Sequence, residues 1–586
     1  MYSSLKNIQI LVALLKKYNI KNIVISAGTR HTPFVYSVEH DSFFKTYSIV
    51  DERSASFFAI GLIEKLRKPV AIVCTSGTAA ANYVSAANEA FYQELPLLIL
   101  TADRNHYYMF QQEEQMIPQE GLFSQVCKKV VTLGHVRDEK DFWYYSRICN
   151  EALLELEHGE KGPVHINFIV ENDYPIYQGI VDFSTPELPD IRKINKITLE
   201  SNIAEWNNLF DVLNRSKIMI IYGQKGLLTE EEKQAIEDFS KKFNCIVSVD
   251  LLSNYNGDKV IPTYMLSKIL TEDEFVQLLP DVVITINANT ISEIKNRLMK
   301  YKNKFNHYHI SSKGNVSDVF KKLSDIIECN PFIFFNKMAS YKKINGDSSY
   351  YDLWNKEYER CKNINDANIE FSALYATQQY IKGIPSGSLL HIANSNSVRL
   401  ANFFTLNNNV EVYDNRGTHG IDGSMSAFIG QASITNSNCY LLIGDLSFFY
   451  DMNALWNRYI GNNIRILICN NSGGAIFHTY PNKNNVPSLD DHIAAEHKTS
   501  VKDWTVSRGF EYLSADDKNS FDENISKMFK ENNEKPIIME VFTDKDIDAR
   551  QINEIVHNYR NLTFKEQISS KIPSGLKQKI KKIIKK

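Results

Sequence analysis

The sequence predicts an α/β protein of three doubly wound, parallel-sheet domains. Two observations carry that expectation. Short apolar runs bounded by polar or turn residues recur between helical patterns, in three successive series. The chain is 586 residues long, too long for one core and enough for roughly three or four domains of ~150 residues. The runs are apolar throughout, as strands covered on both faces are.

The first series places strands at Asn22–Ser26, Pro69–Cys74, Leu97–Thr101 and Pro163–Phe168, with helices over Ser54–Arg67 and Ala79–Glu94 between them. A strand–helix–strand series of this kind builds a parallel sheet with right-handed crossovers. Pro175, Pro186 and Pro189 then punctuate a stretch without periodicity, which reads as a linker. The second series has strands at Lys217–Gly223, Ile246–Asp250 and Val282–Ile286 and closes near Ser340; the polar stretch Asn345–Ser349 leads into the third. There the strands are Ser388–Ala393, Val410–Tyr413, Cys439–Ile443, Ile464–Cys469 and Pro536–Val541. The resulting boundaries are 1–183, 184–345 and 346–560, followed by a basic tail, 561–586. No short-period repeat links the three series.

Composition narrows the function classes. Apolar residues make up 43% and charged residues 23%, the balance of a soluble globular chain. A net charge of −3 gives the molecule no electrostatic reason to seek nucleic acid. The eight cysteines form no CxxC pair and mostly sit in apolar runs. They read as reduced core residues of a cytoplasmic protein, not a disulfide frame or zinc site. No run is long enough to span a bilayer, and the N-terminus lacks a signal peptide's apolar core. In the tail, six lysines between Lys577 and Lys586 surround Leu576, Ile580, Ile583 and Ile584. A basic amphipathic helix able to touch a membrane surface would look like this, but a solvated end is the better reading.

Two polar clusters nearly 400 residues apart carry the chemistry. Gly444-Asp445-Leu446-Ser447 closes one strand of the third series, and Asn470-Asn471-Ser472-Gly473-Gly474 closes the next. Ligands of open α/β sheets bind beyond the carboxyl ends of strands. Asp445, the Asn471 side-chain oxygen and the Gly473 carbonyl are hard oxygen donors suited to Mg2+ (or Mn2+), and a Gly-rich turn lets amides approach phosphate oxygens. Near the start, Val50-Asp51-Glu52-Arg53 ends an apolar stretch and opens a helix, ahead of Cys74-Thr75-Ser76-Gly77-Thr78. Either Asp51 or Glu52 serves a helix N-terminus equally well.

These segments resemble the thiamine diphosphate-dependent enzymes, and most closely the 2-succinyl-5-enolpyruvyl-6-hydroxy-3-cyclohexene-1-carboxylate (SEPHCHC) synthases of menaquinone biosynthesis. The likeness covers Ile25–Arg30, Asp51–Phe58, Cys74–Tyr83, Thr101–Arg104 and Gln115 with Gly121–Phe123. In the third domain it covers Asn394-Ser395 with Arg399, Asn415–Gly417, Gly420–Gly423, Gly444–Ser447 with Asp451-Met452-Asn453, and Asn470-Asn471 with Gly473-Gly474. The middle domain matches only in its strand pattern.

The resemblance implies thiamine diphosphate and Mg2+ as cofactors. It implies decarboxylation of a 2-oxo acid, 2-oxoglutarate above all, with transfer of the remaining unit to an acceptor, isochorismate. Glu52 would then bond the pyrimidine ring and favour the imino tautomer that removes the thiazolium C2 proton, while the cofactor acts as electron sink. Ile421 would hold the cofactor bent. Gly77, Thr78, Gly444, Asp445, Leu446, Ser447 and Asn471 would bind it. Ser395, Arg399 and Arg416 would hold the donor's distal carboxylate, for which the planar arginine fork is suited. Thr29, Arg30, Arg104 and Gln115 would receive the acceptor, with Gln115 and His419 beside the reacting centre. A homodimer or homotetramer is implied, with the site between the first domain of one subunit and the third of another.

The chain departs from the family's pattern on the acceptor side. Gln112-Glu113-Glu114 stands where the family has Gly-Ala-Asn, and Thr418-His419 replaces small residues. Two carboxylates beside a dianion disfavour it, which motivates an alternative: the same donor chemistry with a different acceptor, in surface-polysaccharide or secondary metabolism. A plain 2-oxo acid decarboxylase is a weaker alternative and a non-catalytic homologue the weakest, given Glu52, Asp445 and Asn471 together. For the family's middle-domain Lys-Arg pair, Lys295 or Arg297 would serve. The Gly223-Gln224-Lys225-Gly226 turn reads as structural.

Overall fold

A computed structural model describes residues 1–171, 182–286, 289–342, 347–407, 409–417, 419–456, 458–479 and 487–561. Pro175 of the expected linker, Thr418 and the lysines of the basic tail lie outside the described residues. Residues 1–197 with 314–326 form one compact unit; residues 198–313 with 327–586 form another.

In the first unit, strands β1 (Asn22–Ile25), β2 (Lys45–Ser48), β3 (Val70–Cys74), β4 (Leu97–Asp103), β5 (Val130–Leu133) and β6 (Val164–Ile169) form a sheet of order β2-β1-β3-β4-β6-β5. All its pairs are parallel. Every residue of β3, β4 and β6 is buried; the buried polar side chains among them are hydrogen-bonded to one another, Thr101 with His165 and Asn167, and Asn167 with Asp103. A further short strand, β7, spans Asn195–Thr198.

The second unit carries two sheets. β8 (Ile218–Tyr222), β9 (Cys245–Val249), β10 (Val260–Pro262), β11 (Val282–Ile286) and β12 (Asn306–Ile310) lie in the order β10-β9-β8-β11-β12; β13 (Leu323–Glu328) follows in the chain. β14 (Leu389–Ile392), β15 (Glu411–Tyr413), β16 (Cys439–Gly444), β17 (Ile464–Asn470), β18 (Glu511–Ala515) and β19 (Ile537–Phe542) lie in the order β15-β14-β16-β17-β19-β18. Counted within its own series, this last sheet repeats the order 2-1-3-4-6-5 of the first, a likeness the sequence did not reveal.

In both six-stranded sheets the order reverses between the first and third strands of the series. Loops diverge there, leaving a crevice at the carboxyl ends. In the first unit the loops after β1 and β3 carry Ser26–Arg30 and Ser76–Thr78. In the second, β14, β16 and β17 end at Asn394-Ser395, Asp445 and Asn471. Gly444 pairs beside Cys469, so Asp445 and Asn471 leave the sheet as neighbours.

The expected strands are all present. The helix over 79–94 is instead two, Thr78–Asn82 and Val84–Tyr92. The second long helix of interest, Lys545–Tyr559, starts at Asp544, whose side chain accepts from the amides of Asp546 and Ile547; such a cap stabilises a helix by about 1 kcal/mol. The cysteines are unpaired, and all but Cys127 are buried. Among the described residues no helix is long and apolar enough to cross a membrane.

Candidate functional site

At the ends of β16 and β17 the turn chemistry produces an oxygen-rich cradle. Asp445 is 2% exposed. One of its oxygens accepts from the backbone amides of Asn471 at 3.1 Å and Gly473 at 2.9 Å. The other accepts from the amide of Leu446 at 2.7 Å. Gly473 has φ +141°, and a Cβ there would stand 2.7 Å from the Ala494 carbonyl, so only glycine makes this turn. The Asn471 Nδ2 donates to Asp548 at 3.0 Å. His497 Nε2 lies 3.3 Å from Asp445, and that carboxylate raises the pKa of its ring against the effect of burial. Neither Asp548 nor His497 was anticipated; no local motif marks either.

This donor set fits a hard divalent cation: a carboxylate, an amide oxygen whose nitrogen end is otherwise engaged, and a backbone carbonyl in a strained glycine turn. Among the described residues no cluster of three His, Cys, Asp or Glu side chains offers a metal site, so any cation here relies on amide and backbone oxygens. Ser447 donates to the Ile421 carbonyl, which ties the Ile421 loop to the helix that begins at Asp445.

Beside the cradle, the ends of β14 and β15 gather cations. Arg416 is 5% exposed and donates to the Asn394 Oδ1 at 3.0 Å. Asn394 in turn holds the loop by donating to the carbonyls of Asn415 and Gly420. Arg399 donates to the Ser395 carbonyl at 2.6 Å. Ser395 (φ +68°) and His419 (φ +61°) are both left-handed, strain that non-glycine residues tolerate mainly at functional loops. Lys295 completes the group. Burial lowers its pKa, Asp250 opposes that, and Arg416 adds to it. Arg297, the other middle-domain candidate, is consumed elsewhere: it donates to the carbonyls of Leu270 and Thr271, pairs with Glu272 and stacks on Phe275.

Burial, then the fields of Arg416, Lys295 and Arg399, lower the pKa of His419. It is a neutral ring at physiological pH, held 3.2 Å from Asn289. Asp414 lies buried next to this cluster with neither carboxylate oxygen hydrogen-bonded. Burial pushes its pKa up to about 7 although Arg416 pulls it down. The Gly223–Gly226 turn is structural: Gln224 donates to the Asp414 carbonyl at 2.6 Å.

The first unit holds the other expected residues. Glu52 opens the helix Glu52–Leu66. Its charge reaches the buried Cys74 thiol and the Tyr83 phenol, raising both above their ordinary range after the larger effect of burial. Gly77 has φ +82°, and a Cβ there would meet the Gln115 Cα at 3.2 Å. Its amide donates to Gln119 Oε1 at 2.8 Å; Gln119 donates onward to Asn167, and Asn167 to Asp103. Gln119, missed in the sequence, thereby fixes the Gly77 turn. Arg30 is 3% exposed and donates to the Val170 carbonyl. Thr29, Thr78 and Gln115 are exposed. Arg104 donates to Ser76 at 3.0 Å and pairs with Glu113 at 3.3 Å. Phe110, Gln112 and Gln115 all have positive φ, so the loop that delivers Glu113 is a strained one.

Residues 6–122 match the family model of the thiamine pyrophosphate enzyme, N-terminal TPP binding domain. Curated relatives match along the whole chain. A 2-succinyl-5-enolpyruvyl-6-hydroxy-3-cyclohexene-1-carboxylate synthase of Bacteroides fragilis is 37% identical over 575 residues, covering 96% of this chain and 100% of the relative. Its counterpart in Phocaeicola vulgatus is 36% identical over 570 residues, with the same coverage. That of Flavobacterium psychrophilum is 32% identical over 587 residues, again covering 96% and 100%.

Proposed function

This chain belongs to the family of SEPHCHC synthases, thiamine diphosphate-dependent enzymes, and from that premise we propose that it decarboxylates 2-oxoglutarate and adds the remaining four-carbon unit to isochorismate. The observation that carries the donor assignment is the convergence of Arg399, Arg416 and Lys295 at the ends of β14 and β15. Three cations in a largely buried pocket suit a substrate with a carboxylate remote from its reacting carbon.

Bound thiamine diphosphate supplies the electron sink for loss of carbon dioxide. The chain's own residues do the rest. Asp445, Asn471 and the Gly473 carbonyl would hold Mg2+ and with it the cofactor's diphosphate. Glu52 would bond the pyrimidine ring, and Ile421 would be the apolar side chain packed against the cofactor. Ser395, Arg399, Arg416 and Lys295 orient the donor. Thr29, Arg30, Arg104 and Gln115 face the acceptor's carboxylates. Glu113 is already paired with Arg104, so its charge is spent on the arginine and it competes with the acceptor for that fork. What weakens the case for a different acceptor is that relatives matching 96% of this chain are SEPHCHC synthases.

The enzyme acts as a homodimer or larger, with the Glu52 face of one subunit meeting the metal cradle of its partner. Exposed Val50, Phe57, Phe58 and Tyr92 around the Glu52 helix support a covered face there. Eight unpaired cysteines suit the reducing cytoplasm.

The test is a mass-spectrometric assay with thiamine diphosphate, Mg2+, 2-oxoglutarate and isochorismate, beside a tube without isochorismate followed for carbon dioxide. Product in the first tube is expected. Carbon dioxide without product would keep the donor and overturn the acceptor; silence in both would overturn the donor assignment. In the same assay Glu52→Gln is expected to lower turnover by about 10²–10⁴-fold, the usual range for a lost proton-transfer group.

A further inference from the structure

We propose that Asp548 is a positioning residue that fixes which end of the Asn471 amide faces the cation. The inference rests on the proposed magnesium and thiamine diphosphate reading and adds a residue 77 positions beyond Asn471 to it. Asp548 is 2% exposed. It sits in the first turn of the helix Lys545–Tyr559, which Asp544 caps. Among the described residues, every hydrogen bond its carboxylate makes is one it accepts. The Ala373 amide donates to Oδ1 at 2.7 Å. Asn471 Nδ2, at 3.0 Å, and Thr543 Oγ1, at 2.9 Å, donate to Oδ2.

A carboxylate that only accepts can bond only the nitrogen end of a neighbouring amide. With Nδ2 anchored on Asp548, the planar Asn471 amide must turn Oδ1 the other way. The Asn471 backbone amide, meanwhile, bonds Asp445. An unanchored asparagine could present either end, and its NH2 end cannot ligate a cation. Partners behind a ligand typically contribute about 10–100-fold in metal affinity. Asp548 thus makes the helix Lys545–Tyr559 part of the proposed metal site, although the helix contributes no ligand.

The test uses the full-length protein and two variants. Asp548→Asn removes the constraint, since the new amide can donate to Asn471 Oδ1 and turn its NH2 end outward. In the N471D/D548N double variant the two side chains exchange chemistry. The new amide at 548 donates to the new carboxylate at 471, which keeps a free oxygen for the cation, and the buried net charge is unchanged. Mg2+ binding in the presence of thiamine diphosphate is measured by isothermal titration, and stability without metal by urea unfolding. We expect D548N to weaken Mg2+ binding by about 10–100-fold, and the double variant to recover most of that loss.

Equal Mg2+ affinity in wild type and D548N would overturn the inference. So would a double variant no better than D548N, since a merely structural role predicts loss of urea stability without rescue of metal affinity. If D548N does not fold, the double variant against wild type decides alone: a loss of tenfold or more overturns the inference. A wild-type chain that binds neither Mg2+ nor thiamine diphosphate would refute the underlying reading instead.

Discussion

The cradle at the ends of β16 and β17 and the basic pocket at the ends of β14 and β15 belong to the same sheet but are finished differently. In the cradle both oxygens of Asp445 accept hydrogen bonds, the Asn471 amide is anchored, and Asp548 accepts three donors. In the pocket both oxygens of Asp414 and the Arg416 Nε are buried without a hydrogen-bond partner, whereas of the cradle side chains named above His497 Nε2 alone is so placed, 3.3 Å from Asp445. A buried polar group left unsatisfied costs about 1–3 kcal/mol. Saturated groups therefore act as fixed geometry, and unsaturated ones store a cost that an incoming ligand can relieve. On the proposed function, the difference separates residues that shape the site from residues that would bind what enters it.

The largest expected effect sharpens that contrast. Arg416→Ala should lower kcat/KM for 2-oxoglutarate by about 10²–10³-fold, the worth of two charge-assisted hydrogen bonds, while Mg2+ titration stays at the wild-type value. A matching loss of metal affinity would merge the two regions into one.

Chelation probes the cradle alone. With thiamine diphosphate saturating and Mg2+ at ~100 times its dissociation constant, Mg2+ binding adds about 2.7 kcal/mol to stability. EDTA should therefore lower Tm by several degrees, and a melting curve that ignores EDTA would break the metal assignment.

Asp414 tests the stored cost. Its folded-state pKa, pushed up to about 7, exceeds that of the unfolded chain. The folded state therefore holds a proton that the unfolded state releases, and stability falls as pH rises from about 4 through 7. Asp414→Asn should gain up to about 4 kcal/mol over wild type at pH 8 and nothing near pH 4, read as the difference between urea unfolding curves. A pH-independent difference would show that the carboxylate is satisfied after all.

Arg104, proposed above to face the acceptor, falls between the two cases, since it already has a carboxylate partner. Breaking a partly exposed ion pair costs up to about 1 kcal/mol. Glu113→Gln should thus lower KM for isochorismate by about 2–5-fold and leave KM for 2-oxoglutarate alone. A raised KM would mean that Glu113 positions the arginine and does not compete for it.

By itself the sequence determined the three α/β series and the cofactor motifs. Strands buried on both faces must be continuous apolar runs, and Val70–Cys74, Cys439–Gly444 and Ile464–Asn470 could hardly be read otherwise. Turn chemistry likewise forces Gly, Asp and Asn into consecutive positions after β16 and β17. The edge strands Lys45–Ser48 and Glu511–Ala515 were not legible, because half-exposed strands carry no such run. Only the tertiary structure decided that Lys295 and not Arg297 joins Arg416, that Glu113 reaches Arg104, and that Asp548 anchors Asn471. These contacts join residues far apart in the chain, or choose between near neighbours by which way a helix faces. Local spacing encodes neither; the convergence of strand ends at a reversal in sheet order does.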